Sequence, residues 1–416
     1  WRWAPMDRQH LVLKQRRNYA GWQSSGIDYV KFVPLDDAGW ETLEAPYRGE
    51  HDKFVACYWE PYSWSFHHGI GHPVDHRAVM TAFRDAEVDL VDSQVNRFGS
   101  KALFETRSTD QLLYETTGDP RADESIPRTS NVGTMQQFTN PLDATVRYCR
   151  ELGLGVHANF GAGICYVDEP LESALFRSRP EWVLNGVPRH ELPEVRAYAL
   201  QLVRDALDIG APGISLDFMR YPHTIDSAET ANTLLRELRA LADGFAERRS
   251  VSVPVLVQFP AKGVLPPEVR ERGNYTMFDY ALWAREGWVD YLCPSNDDER
   301  HLHFDVRPYL DAVAGTPCKV LPNITGSGSG LPGPGLYLWR VNQVYDAGAP
   351  GMYMYQADHR VLGRPDQRRM VRLLGKSEAV RRWWEAYRAR CEQHQRKGVA
   401  DPALEHFRWL LEEYRV

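Results

Sequence analysis

The chain has 416 residues, of which 43% are hydrophobic and 25% charged, with a net charge of -7 and a pI near 6.1. That balance is ordinary for a folded globular protein and excludes wholesale disorder. It also lacks the clustered Lys and Arg that a phosphate backbone demands, so nucleic acid is not an expected partner. No run of 18 apolar residues occurs, so neither a membrane-crossing helix nor a membrane partner is expected. A leader removed before residue 1 is compatible with a chain that opens Trp1-Arg2-Trp3.

Residues 1–50 read as an N-terminal segment packed on the main body of the fold. Tyr29 to Val33 within it has strand composition and would shift the strand numbering by one if it were the first barrel strand. From Phe54 onward, short apolar runs alternate with amphipathic stretches of helical length, the pattern of repeated βα units and a parallel sheet. Strand one is Phe54 to Trp59, followed by a Gly- and His-rich loop and a helix over Asp75 to Ala86. Strand two is Val88 to Val95. A long polar loop passes through Arg97, Lys101 and Glu105 to a helix over Asp143 to Leu152, started by Asn140-Pro141 and stopped by Gly153.

Strand three is Leu154 to Phe160, and the helix Pro193 to Leu207 leads to strand four, Gly213 to Phe218. The helix Arg236 to Ala246 precedes strand five, Val253 to Phe259. A helix over Met277 to Glu286 precedes strand six, Asp290 to Pro294, and strands seven and eight are Lys319 to Asn323 and Gly351 to Tyr355. Gly326 to Gly335 (GSGSGLPGPG) reads as a flexible loop able to act as a lid. Residues 366–416 have helical spacing of Trp383, Trp384, Tyr387, Phe407 and Trp409 and are expected to pack outside the barrel. The predicted fold is therefore one (β/α)8 TIM barrel over residues 51–365, with long βα loops and extra C-terminal helices. Six cysteines without C-x-x-C spacing read as free thiols, most of them buried.

In such a barrel, functional groups project from the carboxyl ends of the strands. Strand four ends in GISLDFMRYP, where Asp217 closes an apolar run and Arg220 follows three residues later. An Asp held beside a cation stays ionised at neutral pH, as a nucleophile must; the plainer alternative is a structural Asp217 to Arg220 ion pair. The segment resembles the strand-four signature of a large group of bacterial glycosyl-hydrolase-like barrels, D-G-I-x-x-D-[FY]-x-R-Y-P. The likeness extends more weakly to REGWVDYLCPS at Arg285 to Ser295 and to AGAPGMYMY; Ala211-Pro212 stands where many relatives have Asp before the Gly. The resemblance implies a glycosidase acting in polysaccharide breakdown on a carbohydrate substrate.

Glycoside hydrolysis needs a second carboxyl across the scissile bond. CPSNDDER after strand six offers Asp297 first and Asp298 beside it, and an Asp on strand four with an Asp on strand six resembles the arrangement of α-galactosidase-like retaining barrels. The plainer reading of this run is a solvated loop or helix cap. Strand five ends in Gln258 instead of an acid, unlike amylase-like barrels, and Glu60 is another acid candidate. Supporting sugar contacts are expected from Tyr58, Trp59, Glu60, His157, Asn159, Arg220, Gln258, Asn296, Asn323, Gln356 and Asp358. The 13 Trp, 20 Tyr and 15 Phe fit a cleft that stacks sugar rings, or simply a large aromatic core.

Two other classes compete. His67, His68, His72 and His76 could serve a metal-dependent hydrolase or deacetylase, but their spacing matches no standard zinc site, so no metal or cofactor is expected. A non-catalytic barrel could hold an acidic polysaccharide through Arg97, Lys101, Arg107 and Arg220. A homodimer is compatible with the sequence.

Overall fold

The computed structural model describes residues 36–61, 73–110, 138–163, 165, 172–219, 225–261, 278–296, 305–324, 333–355, 357, 362 and 365–396. Eight parallel strands form the barrel: β1 (Phe54–Trp59), β2 (Leu90–Arg97), β3 (Gly155–Gly161), β4 (Ile214–Asp217), β5 (Val255–Pro260), β6 (Tyr291–Asn296), β7 (Lys319–Val320 and Asn323–Ile324) and β8 (Gly351–Met354). They pair in chain order, and β8 returns to β1 with Phe54 opposite Gly351. Closure thus begins at Phe54; Tyr29 to Val33 lies outside the described residues. Strand β7 is broken because Pro322 has no N–H to give to a ladder, yet Asn323 still pairs with Ser295 on one side and Tyr353 on the other.

Helices α1 (Pro73–Asp85), α2 (Pro141–Leu152), α3 (Pro193–Ile209), α4 (Ala228–Arg249), α5 (Tyr280–Arg285), α6 (Arg307–Val313), α7 (Gly333–Asp346) and α8 (Pro365–Leu374) follow the strands one for one, and α9 (Ser377–Arg396) completes the described chain. Local chemistry fixes their ends. Asn140 accepts the Leu142 N–H at 3.1 Å, Pro141 costs no donor in the first turn, and Gly153 closes α2 at φ 72°. Ser227 caps α4 well upstream of the expected start at Arg236, so the helix starts about two turns earlier. Helix α7 is the larger departure, because its first turn begins inside the glycine-rich stretch at Gly333. A proline in the first turn breaks no helical hydrogen bond, and Pro334 occupies that place. Residues 326–332 lie outside the described residues.

The period of two along each strand sorts side chains between two cores. Outward residues such as Val55, Cys57, Val91, Phe160, Leu216, Val257 and Met352 pack beneath the helices. Inward Ala56, Tyr58, Leu90, Leu256, Cys293, Leu321, Tyr353 and Tyr355 form a separate cluster, with Phe54 and Tyr291 against it and stacked on each other at 5.6 Å. Five of the six cysteines, Cys57, Cys149, Cys165, Cys293 and Cys318, are buried and free. No described helix is long and apolar enough to cross a membrane.

Carboxylates at the amino-terminal end of the barrel hold its strands in place. Asp89 accepts the Val55 N–H at 2.7 Å, and Asp290 accepts the Val255 N–H at the same distance while meeting Arg239 at 3.2 Å. Arg372 of α8 bridges Glu44 and Glu87, and Ser377 at the start of α9 bonds Asp52, tying the C-terminal helices to the segment before β1. The closing seam is tight. A Cβ on Gly351 would stand 2.2 Å from the Phe54 carbonyl oxygen, a backbone atom that cannot step aside. Gly351→Ala is therefore expected to cost about 3 kcal/mol, read as a lower melting temperature, the upper range for overpacking a core.

Candidate active site

Strand β4 turns Ile214, Leu216 and Phe218 outward into the large core, which leaves Ser215 and Asp217 facing the barrel interior. Asp217 sits at the carboxyl end with 6% of its surface exposed, and its Oδ1 accepts the Met219 N–H at 2.7 Å. That local bond fixes the side chain where the strand stops. The charge of Asp217 reaches Tyr58 on β1, Cys293 on β6 and Tyr353 on β8 and helps to raise the pKa of all three, behind the larger effect of burial. Asp217 thus lies at the carboxyl end of β4 on the inward face of the barrel.

One side-chain step deeper is a carboxyl that reasoning from strand ends missed. Asp92 of β2 is fully buried, and its Oδ2 accepts from Asn159 Nδ2 at 2.7 Å and from the Tyr353 hydroxyl at 2.5 Å. Burial pushes its pKa up to about 6, against the hydrogen bonds from Tyr353, Ser215 and Asn159 that favour the charged form. The signal was present in LVDSQVNR: Leu90, Asp92 and Gln94 share one face by strict alternation, so two polar residues had to point into the barrel. A register irregularity between Gln94 and Asn96 then ends the alternation near the mouth.

His157 lies at the same depth as Asp92, paired with it across β2 and β3. Its Nδ1 is 3.1 Å from the Ser215 hydroxyl, its ring fills the space a side chain on Gly213 would need, and burial holds its pKa down at about 3. It is a neutral residue of the barrel floor, below the mouth where a sugar contact was expected. Tyr58 faces inward and stacks on Tyr355 at 4.6 Å, and Asn323 accepts the Tyr355 N–H at 3.2 Å. Gln258, fully buried, pairs in register with Asp217 on β4 and with Cys293 on β6. Glu60, just past β1, meets Arg97 of β2 at 3.3 Å, with both side chains nearly buried.

Trp59 is placed differently from expectation. It follows the inward Tyr58, so alternation turns it outward, where its ring meets the edge of His76 at 4.7 Å in the large core. His76 in turn bonds the Thr145 hydroxyl at 2.7 Å, and burial lowers its pKa to about 3, which makes it a core histidine behind the barrel wall. His67, His68, His72, Arg220, Asp297, Asp298, Gln356 and Asp358 lie outside the described residues, as does the side chain of Asn296. Among the described residues no group of three His, Cys, Asp or Glu is arranged to hold a metal ion.

No family model and no curated protein matches the chain. Solved structures are similar to it at low identity. An alpha-amylase from Lactobacillus plantarum is similar at 12% identity with a TM-score of 0.46, covering 79% of this chain and 81% of its own. A maltogenic alpha-amylase from Thermotoga neapolitana is similar at 8% identity and 0.45, covering 79% and 77%. An alpha-galactosidase from Thermus thermophilus in complex with stachyose is similar at 15% and 0.43, covering 79% and 66%. At such identities no activity passes from them to this chain.

Proposed function

We propose that this barrel hydrolyses glycosidic bonds in an oligo- or polysaccharide by retention, with Asp217 as the nucleophile. The observation that supports this most is a carboxylate fixed at the carboxyl end of β4, nearly buried and on the inward face of the barrel. Asp217 attacks the anomeric carbon as the glycosidic C–O bond breaks, and Asp297, with Asp298 beside it, gives its proton to the leaving oxygen. Water deprotonated by the same acid then cleaves the glycosyl ester and restores Asp217. Tyr58, Asn159, Arg220, Gln258, Asn296, Asn323, Gln356 and Asp358 hold the sugar. Glu60 is engaged with Arg97 and serves the rim. The α-anomeric preference rests on pairing acids of strands four and six.

Proton NMR of reactions with paired α- and β-aryl glycosides tests this. One anomer should be consumed and the first-formed sugar should keep its configuration. Absence of turnover on every glycoside, with chelator-sensitive release of acetate from acetylated sugars instead, would replace this reading by the metal-dependent one.

A further inference from the structure

We infer that Arg97 is a positioning residue for Asp217: a bulge in β2 turns it onto the inward face of the strand ends, where its charge keeps the β4 carboxylate ionised for attack. This rests on the glycosidase reading and deepens it by assigning the cation that serves the nucleophile.

Strict alternation along β2 would turn Arg97 away from the interior, since Leu90, Asp92 and Gln94 already face it. The register changes at Val95. Gln94 pairs with Asn159, Asn96 with the outward Phe160, and Arg97 with Gly161, so one extra residue resets the alternation and brings Arg97 inward. The packing agrees with the register. A Cβ on Gly161 would stand 2.8 Å from Arg97 Cγ and 3.5 Å from its Cδ, so the stem of Arg97 lies over the glycine on the inward face. On its other side Gly161 pairs with Asp217. Arg97 and Asp217 therefore flank one residue that has no side chain, two strand spacings or roughly 10 Å apart along the ladder. No side chain of β3 stands between them at that level.

Arg97 is 6% exposed, and a guanidinium so deep is held by a facing acid. Glu60, just past β1, supplies one at 3.3 Å. The pair is a dipole whose positive end belongs to β2, two strands from β4, and whose negative end belongs to β1, three strands away. Attraction falls with distance, so Glu60 weakens the pull of Arg97 on Asp217 without cancelling it. The other described groups of this interior offer no cation. Burial keeps Tyr58 of β1, Cys293 of β6 and Tyr353 of β8 protonated, His157 of β3 is neutral with its pKa near 3, and Gln258 of β5 carries no charge. Arg220 and Asp297 lie outside the described residues. Asp92, deeper on β2, gives the contrast: its partners Tyr353, Ser215 and Asn159 are uncharged, and burial pushes its carboxyl up to about 6. A cation in the same row favours the ionised form instead.

The test uses the full chain. In Arg97→Met the acidic limb of the kcat/KM profile, which reports the ionising groups of the free enzyme, should move up by about one pH unit, the effect of losing one partly offset cation near a carboxylate. Arg97→Lys keeps a cation and should return the limb most of the way. A double-mutant cycle of Arg97→Met with Asp217→Asn, read by denaturant unfolding at neutral pH, should show a coupling of about tenfold in the unfolding equilibrium, the same one-unit interaction. Should Arg97→Met fail to fold because Glu60 is left facing no cation, Glu60→Gln combined with Arg97→Met removes both charges and is read in the same two ways, with the limb moving in the same direction. A loss of activity that is uniform across pH with the limb in place, or additive unfolding effects, would overturn the inference while leaving hydrolysis standing. Coupled unfolding in a chain that hydrolyses no glycoside would support the interaction of Arg97 with Asp217 and sink the glycosidase reading.

Discussion

Replacing Asp217 by Asn is expected to lower kcat/KM on the hydrolysed glycoside by at least about a thousand-fold, roughly 4 kcal/mol of transition-state stabilisation. The amide keeps an oxygen for the Met219 N–H, so the turn at the end of β4 survives and the melting temperature should hardly move. Asp217→Glu keeps the charge but displaces it by a methylene, and a misplacement of that order costs about a hundred-fold. Steady-state kinetics beside thermal melts on the wild type and both variants check this. Retention of more than about a tenth of the activity by Asp217→Asn, a barrier change of only about 1.4 kcal/mol, would show that the reacting carboxylate lies elsewhere.

The second large effect concerns Asp92 and stability. Its carboxyl is raised from 3.8 to about 6 in the folded chain because burial penalises the charge. Below its unfolded value of 3.8 the group is protonated folded and unfolded, and its contribution is fully present. As pH rises through about 6 the folded chain must ionise it at a penalty the unfolded chain escapes, so stability is lost across that window. The displacement corresponds to roughly 3 kcal/mol. Asp52 and Glu87 have lowered pKa values, through bonds from Ser377 and from Lys376 and Arg372 that outweigh their burial, and act in the opposite sense, gaining stability as pH rises. The difference between the wild type and Asp92→Asn isolates the buried group. Denaturant unfolding at about pH 4 and about pH 7 should show the variant gaining on the wild type by about 2 to 3 kcal/mol at the higher pH. A difference that does not change with pH would mean that Asp92 stays charged at little cost.

How much of the fold and site could be read from residues alone depended on the period of the pattern. Alternation of apolar runs and amphipathic stretches placed all eight strands, and β1 agrees end to end, because a strand covered on both faces reads as a nearly continuous apolar run. Helix ends were legible where a cap was strong, as at Asn140 and Gly153, and illegible at α7, where glycine and proline disguise a first turn. The strand ends were legible, and Asp217 and Gln258 stand at or near the ends of theirs. The barrel floor was not, since Asp92 lies mid-strand and gains its meaning from Tyr353, 261 residues away in the chain. Trp59 shows the converse error. Tyr58 and Trp59 were both expected at the sugar, whereas neighbouring residues of a strand face opposite ways and Trp59 is the outward one.

The most direct measurement is to trap the glycosyl-enzyme. A 2-deoxy-2-fluoroglycosyl fluoride of the hydrolysed sugar should slow the second step and leave one covalent adduct per chain, and peptide mass mapping should place it on Asp217. An adduct on Glu60, Asp92 or any other carboxylate, or turnover with inverted configuration and no adduct, would contradict the assignment of Asp217 as the nucleophile.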